Sequence, residues 1–345
     1  MISRFVFLSA AVAAAILPSC SNEDVAGTEP SQENTISFSA VTPRPSRGAA
    51  TTTATMKNFV VYAFTESTKI MDGVTVTRDG GSWTYSPAAY WPSTPVNFYA
   101  YSPDITNSTD IKGDTGGHIP DYLNNGQTDL LYSVNMNVGQ QAAPVLMNFR
   151  HAMAKVNMML SSKNERLKIK VSHISLCNIY LQGTFNFPDA TTAADTPDIQ
   201  GSWTDLKKQS DLLTFYAMGE GDEVTLTSTP TDYTENNLDV CFILPQTLND
   251  VSLSGNEYKG SYLQVDCEIF DAASGVKVWP TGKTPSYLLV QESNCGRLVF
   301  PAKSGNVGEW QMGHAYVYNI SIDNPDVLDQ IDFDVTVDDY VIDQM

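Results

Sequence analysis

The sequence predicts an all-β protein built from two β-sandwiches, and three observations carry that expectation. Apolar and polar residues alternate with a period of two, as in NTISFSAVT, where Ile36, Phe38 and Ala40 face one way and Thr35, Ser37 and Ser39 the other. The alternating runs are short, rich in β-branched and aromatic residues, and separated by clusters of Gly, Pro, Asn and Asp. With 345 residues, 42% of them hydrophobic and 10% aromatic, the chain can fill the cores of two such units.

The first segment lies outside that fold. Arg4 precedes an apolar run from Phe5 to Leu17, which has the length of a secretory signal core and is shorter than the roughly 20 residues a membrane-crossing helix needs. Leu17, Ser19 and Cys20 resemble the bacterial lipobox, L-x-[small]-C. On that reading residues 1–19 are a lipoprotein signal peptide and Cys20 carries the acyl chains, two or more of which hold a protein stably on a membrane. Residues 20–47 follow as a polar tether, SNEDVAGTEPSQEN, then the half-buried strand around Ile36, Phe38 and Ala40, then the start of an arginine-bearing loop, PRPSRGAATTTAT.

KNFVVYAFT, GVTVTRD, SWTYS, VNFYAYS, TDLLYSVNMNV and PVLMNFRHAMAKVNMMLSS supply a first sandwich over 48–162. Within the last of these, HAMAKVNMML admits a helical turn, but the alternation from Val156 onward favours a strand. A second sandwich over 163–345 draws on RLKIKVSHISLCNIYLQGTFNF, LLTFYAM, EVTLTST, LDVCFILPQ, YLQVDCEIFDA, SYLLVQ, RLVFPA, AYVYNISID and QIDFDVTVDDY. The boundary falls near Ser162, at the turn-like SSKNE, with the loop PDATTAADTPDIQGS as the alternative.

Composition excludes some functions. A net charge of −19 repels a phosphate backbone, so no nucleic-acid partner is expected. TGKT at 281–284 lacks the upstream glycine of a phosphate-binding loop, because Lys277 stands there. His118, His151, His173 and His314 sit in no zinc-protease or triad pattern and read as structural residues. The acid pairs Asp332 with Asp334 and Asp338 with Asp339 read as a solvated strand face. No catalytic residue, metal site or cofactor is expected. Cys177, Cys241, Cys267 and Cys295 form no ligand motif, and whether any of them pair is open. Trp83, Trp91, Trp203, Trp279 and Trp310 could stack on sugars, but each lies beside a strand signal, where core filling is commoner.

The two ends of the chain match each other. Ile331, Phe333, Val335 and Val337 alternate with Asp332, Asp334, Thr336 and Asp338, giving a strand apolar on one face. If a protease cut after Arg47, the strand bearing Ile36, Phe38 and Ala40 could leave and its groove could take a strand from another copy. Donor and acceptor surfaces differ, so such contacts run head to tail into a filament.

The lipobox, AYWPSTPVNFYAYSP, TDLLYSVN followed by LMNFRHAMAKVNMML, and the late WQMGHAYVYNISI together resemble the fimbrillin family of the Bacteroidota, the Mfa-like and major fimbrial proteins of type V pili. That resemblance implies transthyretin-like sandwiches and export as a lipidated precursor to the outer membrane, where Ser21, Asn22, Glu23 and Asp24 look like a surface-export tag. It also implies removal of the first strand by a surface arginine-specific protease and assembly with other fimbrial subunits through the C-terminal donor strand, supporting adhesion. The cut maps to the Arg47–Gly48 bond, because Arg44 is followed by Pro45. The alternatives are an unprocessed fimbrial anchor and a monomeric surface lipoprotein that binds glycans.

Overall fold

The computed structural model describes residues 34–42, 51–105, 110–112, 116–124, 128–208, 212–217, 224–233, 241–291, 293–323 and 331–339. Its regular structure is almost entirely strand, as the alternation predicts. A six-stranded antiparallel sheet runs in the order β10 (Arg150–His151), β8 (Leu131–Val138), β5 (Val96–Ser102), β2 (Asn58–Phe64), β3 (Lys69–Asp79) and β4 (Ser82–Thr84). One face carries the parallel pair β1 (Phe38–Val41) and β9 (Val145–Asn148). The other carries the sheet β14 (Ser202–Lys207), β13 (Gln182–Asn186), β7 (Gly116–Leu123) and β6 (Asp110–Lys112).

Burial on both faces explains why strands such as FVVYAF read as continuous apolar runs. Successive side chains enter different cores: Val61, Phe98 and Ala100 pack toward β1, whereas Val60, Tyr99 and Tyr101 pack toward β7 and β13. Tyr132 meets Phe185 of the second layer with ring centroids 4.8 Å apart.

Two further sheets enclose the third core. One has the order β17 (Thr231–Asp232), β11 (Ala154–Ser161), β26 (His314–Ile322) and β27 (Ile331–Asp339), with β18 (Cys241–Ile243) also on β11. The other runs β15 (Leu212–Ala217), β12 (Leu167–Cys177), β22 (Tyr262–Asp271) and β23 (Lys277–Trp279), with β16 (Val224–Thr225) on β12 and β24 (Gly296–Pro301) on β22. Val156, Met158, Leu160 and Tyr318 from the first pack with Ile169, Val171, Val265 and Ile269 from the second. The short pairs β19 (Gln246–Thr247) with β25 (Glu309–Trp310) and β20 (Ser252–Ser254) with β21 (Glu257–Lys259) complete the described strands. Gly296 lies beneath the Trp279 indole, where a Cβ would come within 2.1 Å of the ring, so no larger residue fits.

Two local expectations are corrected and a third holds. SYLLVQ is not a strand: Ser286–Leu288 form a 3-10 turn, because Pro285 fixes the entry and its carbonyl accepts the Leu288 N–H. RLKIKVSHISLCNIYLQGTFNF is two strands, broken where Asn178 takes a φ of 56°, a conformation Asn tolerates better than most residues. HAMAKVNMML enters β10 and β11, the strand reading that its alternation favours. Strand pairing also crosses Ser162 in both directions. β11 pairs with β18 and β26, while β13 pairs back onto β7.

Candidate functional site: the seat of the first strand

The N-terminal alternation resolves into a strand set deep in the body. Ile36, Phe38, Ala40 and Thr42 are 2%, 4%, 6% and 8% exposed, and Ser37, Ser39 and Val41 between them are half-buried. Phe38 fills an aromatic box. Its ring centroid lies 5.8 Å from both Phe59 and Phe98 in edge-to-face contact, and 5.7 Å from Tyr85. Burial of Ile36 and Phe38 together stabilises the seated strand by about 3–6 kcal/mol on transfer values.

The backbone is clamped on both sides. Phe38, Ser39, Ala40 and Val41 run parallel to Val145, Leu146, Met147 and Asn148. The Val145 and Phe149 N–H groups donate to the carbonyls of Ser37 and Val41, each at 2.8 Å. On the opposite side Ile36 N–H donates to the Ala89 carbonyl and Trp91 N–H to that of Asn34, both at 2.9 Å. The Tyr85 hydroxyl donates to the Ile36 carbonyl at 2.6 Å, and burial pushes its pKa up, keeping it a protonated donor. At the far end Thr42 N–H donates to Thr53 Oγ1 at 2.8 Å.

The chain is secured again within the second half of the arginine-bearing segment, C-terminal to Gly48. Thr51 N–H donates to Asp129 Oδ2 at 2.8 Å, while Asp129 Oδ1 is 2.8 Å from His151 Nδ1, and both side chains are buried. Arg78 donates to the Thr53 carbonyl. His151 thus serves a structural hydrogen bond, a role that its place at the edge of an apolar run suggests. Asp129 was not singled out by sequence reasoning, since a lone Asp in a polar stretch carries no signal.

The residues named from sequence fall in three places. Ile36, Phe38 and Ala40 are brought together in the seat. Cys20, Arg47 and Gly48 lie outside the described residues. Ile331, Phe333, Val335 and Val337 belong to β27, whose backbone pairs antiparallel with β26 from Ile322↔Ile331 to His314↔Asp339. β27 occupies the end of its sheet, and Thr336 is exposed.

Other candidate chemistry is scattered. Trp91, Trp279 and Trp310 are buried, and Trp83 and Trp203 pack against the cores as half-buried rings. Cys177, Cys241, Cys267 and Cys295 are all free thiols, and burial pushes the Cys241 and Cys267 thiols up. Among the described residues no three His, Cys, Asp or Glu side chains cluster as a metal site. A polar recess of about 580 Å³ lies between residues 117–118, 186–190 and 198–202, and one of about 500 Å³ adjoins Trp203 and Trp310.

A β-sandwich protein whose first described strand is seated in the core beside β9 is the class that this geometry defines. The family model described as fimbrillin-like matches residues 46–339, and the chain belongs to that family. Membership makes it a fimbrial subunit of the cell surface. A crystal structure of a fimbrial protein from Bacteroides vulgatus ATCC 8482 is similar in fold, at a TM-score of 0.58 and 13% identity over 89% of this chain and 100% of that one. A fimbrilin from Porphyromonas gingivalis W83 aligns at 10% identity with a TM-score of 0.47, over 91% of this chain and 100% of that one. A search of curated proteins finds no significant match.

Proposed function

We propose that the chain is a structural pilin, exported as a lipoprotein precursor acylated at Cys20 and polymerised after a surface arginine-specific protease cuts the Arg47–Gly48 bond. The cut frees residues 20–47, including β1, and the emptied seat receives the C-terminal strand of another fimbrial subunit. The observation that carries this reading is the seat itself. β1 is a short strand whose inward side chains are core residues, yet in sequence it lies between a polar run and Arg47. The Asp129 and Arg78 contacts to residues 51 and 53 support it further, since they hold the chain in place shortly C-terminal to the Arg47–Gly48 bond. The family match, which begins at residue 46, is in keeping with a mature chain that starts at Gly48.

Division into two sandwiches near Ser162 is part of the proposal, with β11, β13 and β14 as the strands that tie the two units together. No catalytic step is assigned to the chain. Mass spectrometry of the N-terminus of surface-extracted protein tests the reading. A chain beginning at Gly48 without lipid supports a polymerised pilin. A chain that remains acylated at Cys20 and retains β1 overturns it in favour of an anchor or a monomeric binder.

A further inference from the structure

We infer that the strand received by the seat is the terminal strand of a second copy of this same chain, and that it enters in a single register, with Ile331, Phe333, Val335 and Val337 replacing Ile36, Phe38, Ala40 and Thr42. This rests on the strand-exchange reading above and adds to it the partner and the alignment.

The argument begins from the two sequences. ISFSAVT at 36–42 and IDFDVTV at 331–337 run in the same direction, with Ile and Phe at the same first and third positions. The four inward positions of the seat are the first, third, fifth and seventh, each under a tenth exposed. In the terminal strand those positions are Ile, Phe, Val and Val. The aromatic box formed by Phe59, Tyr85 and Phe98 therefore receives the same ring that it already holds. Val replaces Thr42 at nearly equal volume, and Val replaces Ala40 with added apolar surface, so the incoming strand is the more apolar of the two. It gives up the hydroxyl contact between Thr42 and Thr53, 3.2 Å long, but not the backbone N–H at that position.

The outward positions agree as well. Ser37, Ser39 and Val41 are half-buried, and their counterparts Asp332, Asp334 and Thr336 are polar. The second outward site lies beside Leu146, which is 52% exposed, so its carboxylate stays in water. Because the direction is unchanged, the ladder survives. Val145 and Phe149 would donate to the carbonyls of Asp332 and Thr336 as they now do to Ser37 and Val41.

Other registers fail on elementary grounds. A shift of one residue turns the aspartates inward, placing carboxylates in an apolar core. A shift of two puts Phe333 at the place of Ile36 or Ala40 and leaves a smaller side chain in the aromatic box, so one site is overpacked and the other left partly empty. A seat that fits the tail of its own chain makes that chain self-propagating, so it fits a repeating stalk position.

Full-length precursor carrying Asp334→Cys is mixed with precursor carrying Leu146→Cys, both are processed with an arginine-specific endoprotease, and the polymer is treated with a short bis-maleimide. The result expected is an intermolecular link between residues 334 and 146, located by mass spectrometry. Links from Asp332→Cys or Thr336→Cys to residue 146 in preference to 334 overturn the register while leaving strand exchange intact. A second measurement is independent of folding of the variant. A synthetic peptide of residues 331–339 should block polymerisation at least tenfold more effectively than the same peptide with Phe333→Ala. Equal potency of the two peptides also overturns the inference. If the processed wild-type chain forms no polymer alone, but does so when another fimbrial subunit is added, the self-partner assignment fails and exchange stands. If none forms in either case, the strand-exchange reading itself fails.

Discussion

Replacing Phe38 by Ala separates a strand that is merely packed on the body from one that is a detachable unit. Phe38 is 4% exposed and contacts three aromatic rings, so truncation leaves an aromatic-sized void that the rigid box cannot fully close. Such a change costs roughly 3–5 kcal/mol. If β1 opens as a unit, that cost falls mainly on its docking equilibrium. The amides of Val145 and Phe149, which donate to the Ser37 and Val41 carbonyls, report that opening directly. At about 1.4 kcal/mol per tenfold change, their hydrogen exchange should accelerate by roughly two to three and a half orders of magnitude. Amides of β12 and β22, in the third core, should be nearly unchanged. Native-state hydrogen exchange on the uncut precursor measures both. Equal acceleration in β12 and β22, or no acceleration at Val145 and Phe149, would refute the idea that β1 detaches on its own.

Three further outcomes follow from the geometry. Tyr85→Phe removes the donor to the Ile36 carbonyl, 2.6 Å away, and should weaken seating of β1 by about 1 kcal/mol, read as faster hydrogen exchange at the Val145 and Phe149 amides. Asp129→Ala strips the acceptor from Thr51 N–H and from His151, both at 2.8 Å, and should destabilise the body by about 2–3 kcal/mol in urea unfolding. Burial raises the Asp266 carboxyl pKa, offset in part by Arg297 and Gln264. The native state then binds more protons than the unfolded one, so stability falls as pH rises from the unfolded value near about 3.9 through the folded value, and stays lower above it. Asp266→Asn keeps an acceptor for Gln264 Nε2 at 2.9 Å. It should therefore be more stable than the parent in urea melts at pH 7, with the difference shrinking below pH ~3.

Much of the fold was legible because a period-two pattern reports which side of a strand is buried. Ile36, Phe38 and Ala40 were placed on one face from alternation alone, and that face is the buried one. Strands with weak patterns escaped notice. β7 reads GGHIPDYL and β14 reads SWTDLK, too rich in Gly, Pro and charge to signal a strand, yet both are held by pairing to β13. The 3-10 turn at Ser286–Leu288 was hidden by apolar residues that mimic a strand, with Pro285 as the neglected sign.

By itself the sequence determined the class of fold, the inward faces of the strands and the likeness between the two chain ends, since each depends on residues close together in the chain. Only tertiary structure decided that β1 runs parallel to β9, that Phe38 sits among Phe59, Tyr85 and Phe98, and that Asp129 holds Thr51 from 78 positions away. The physical reason is that alternation states that a face must be covered but not by what. The partner is chosen by long-range register, in which backbone hydrogen bonds and side-chain shape must be satisfied together.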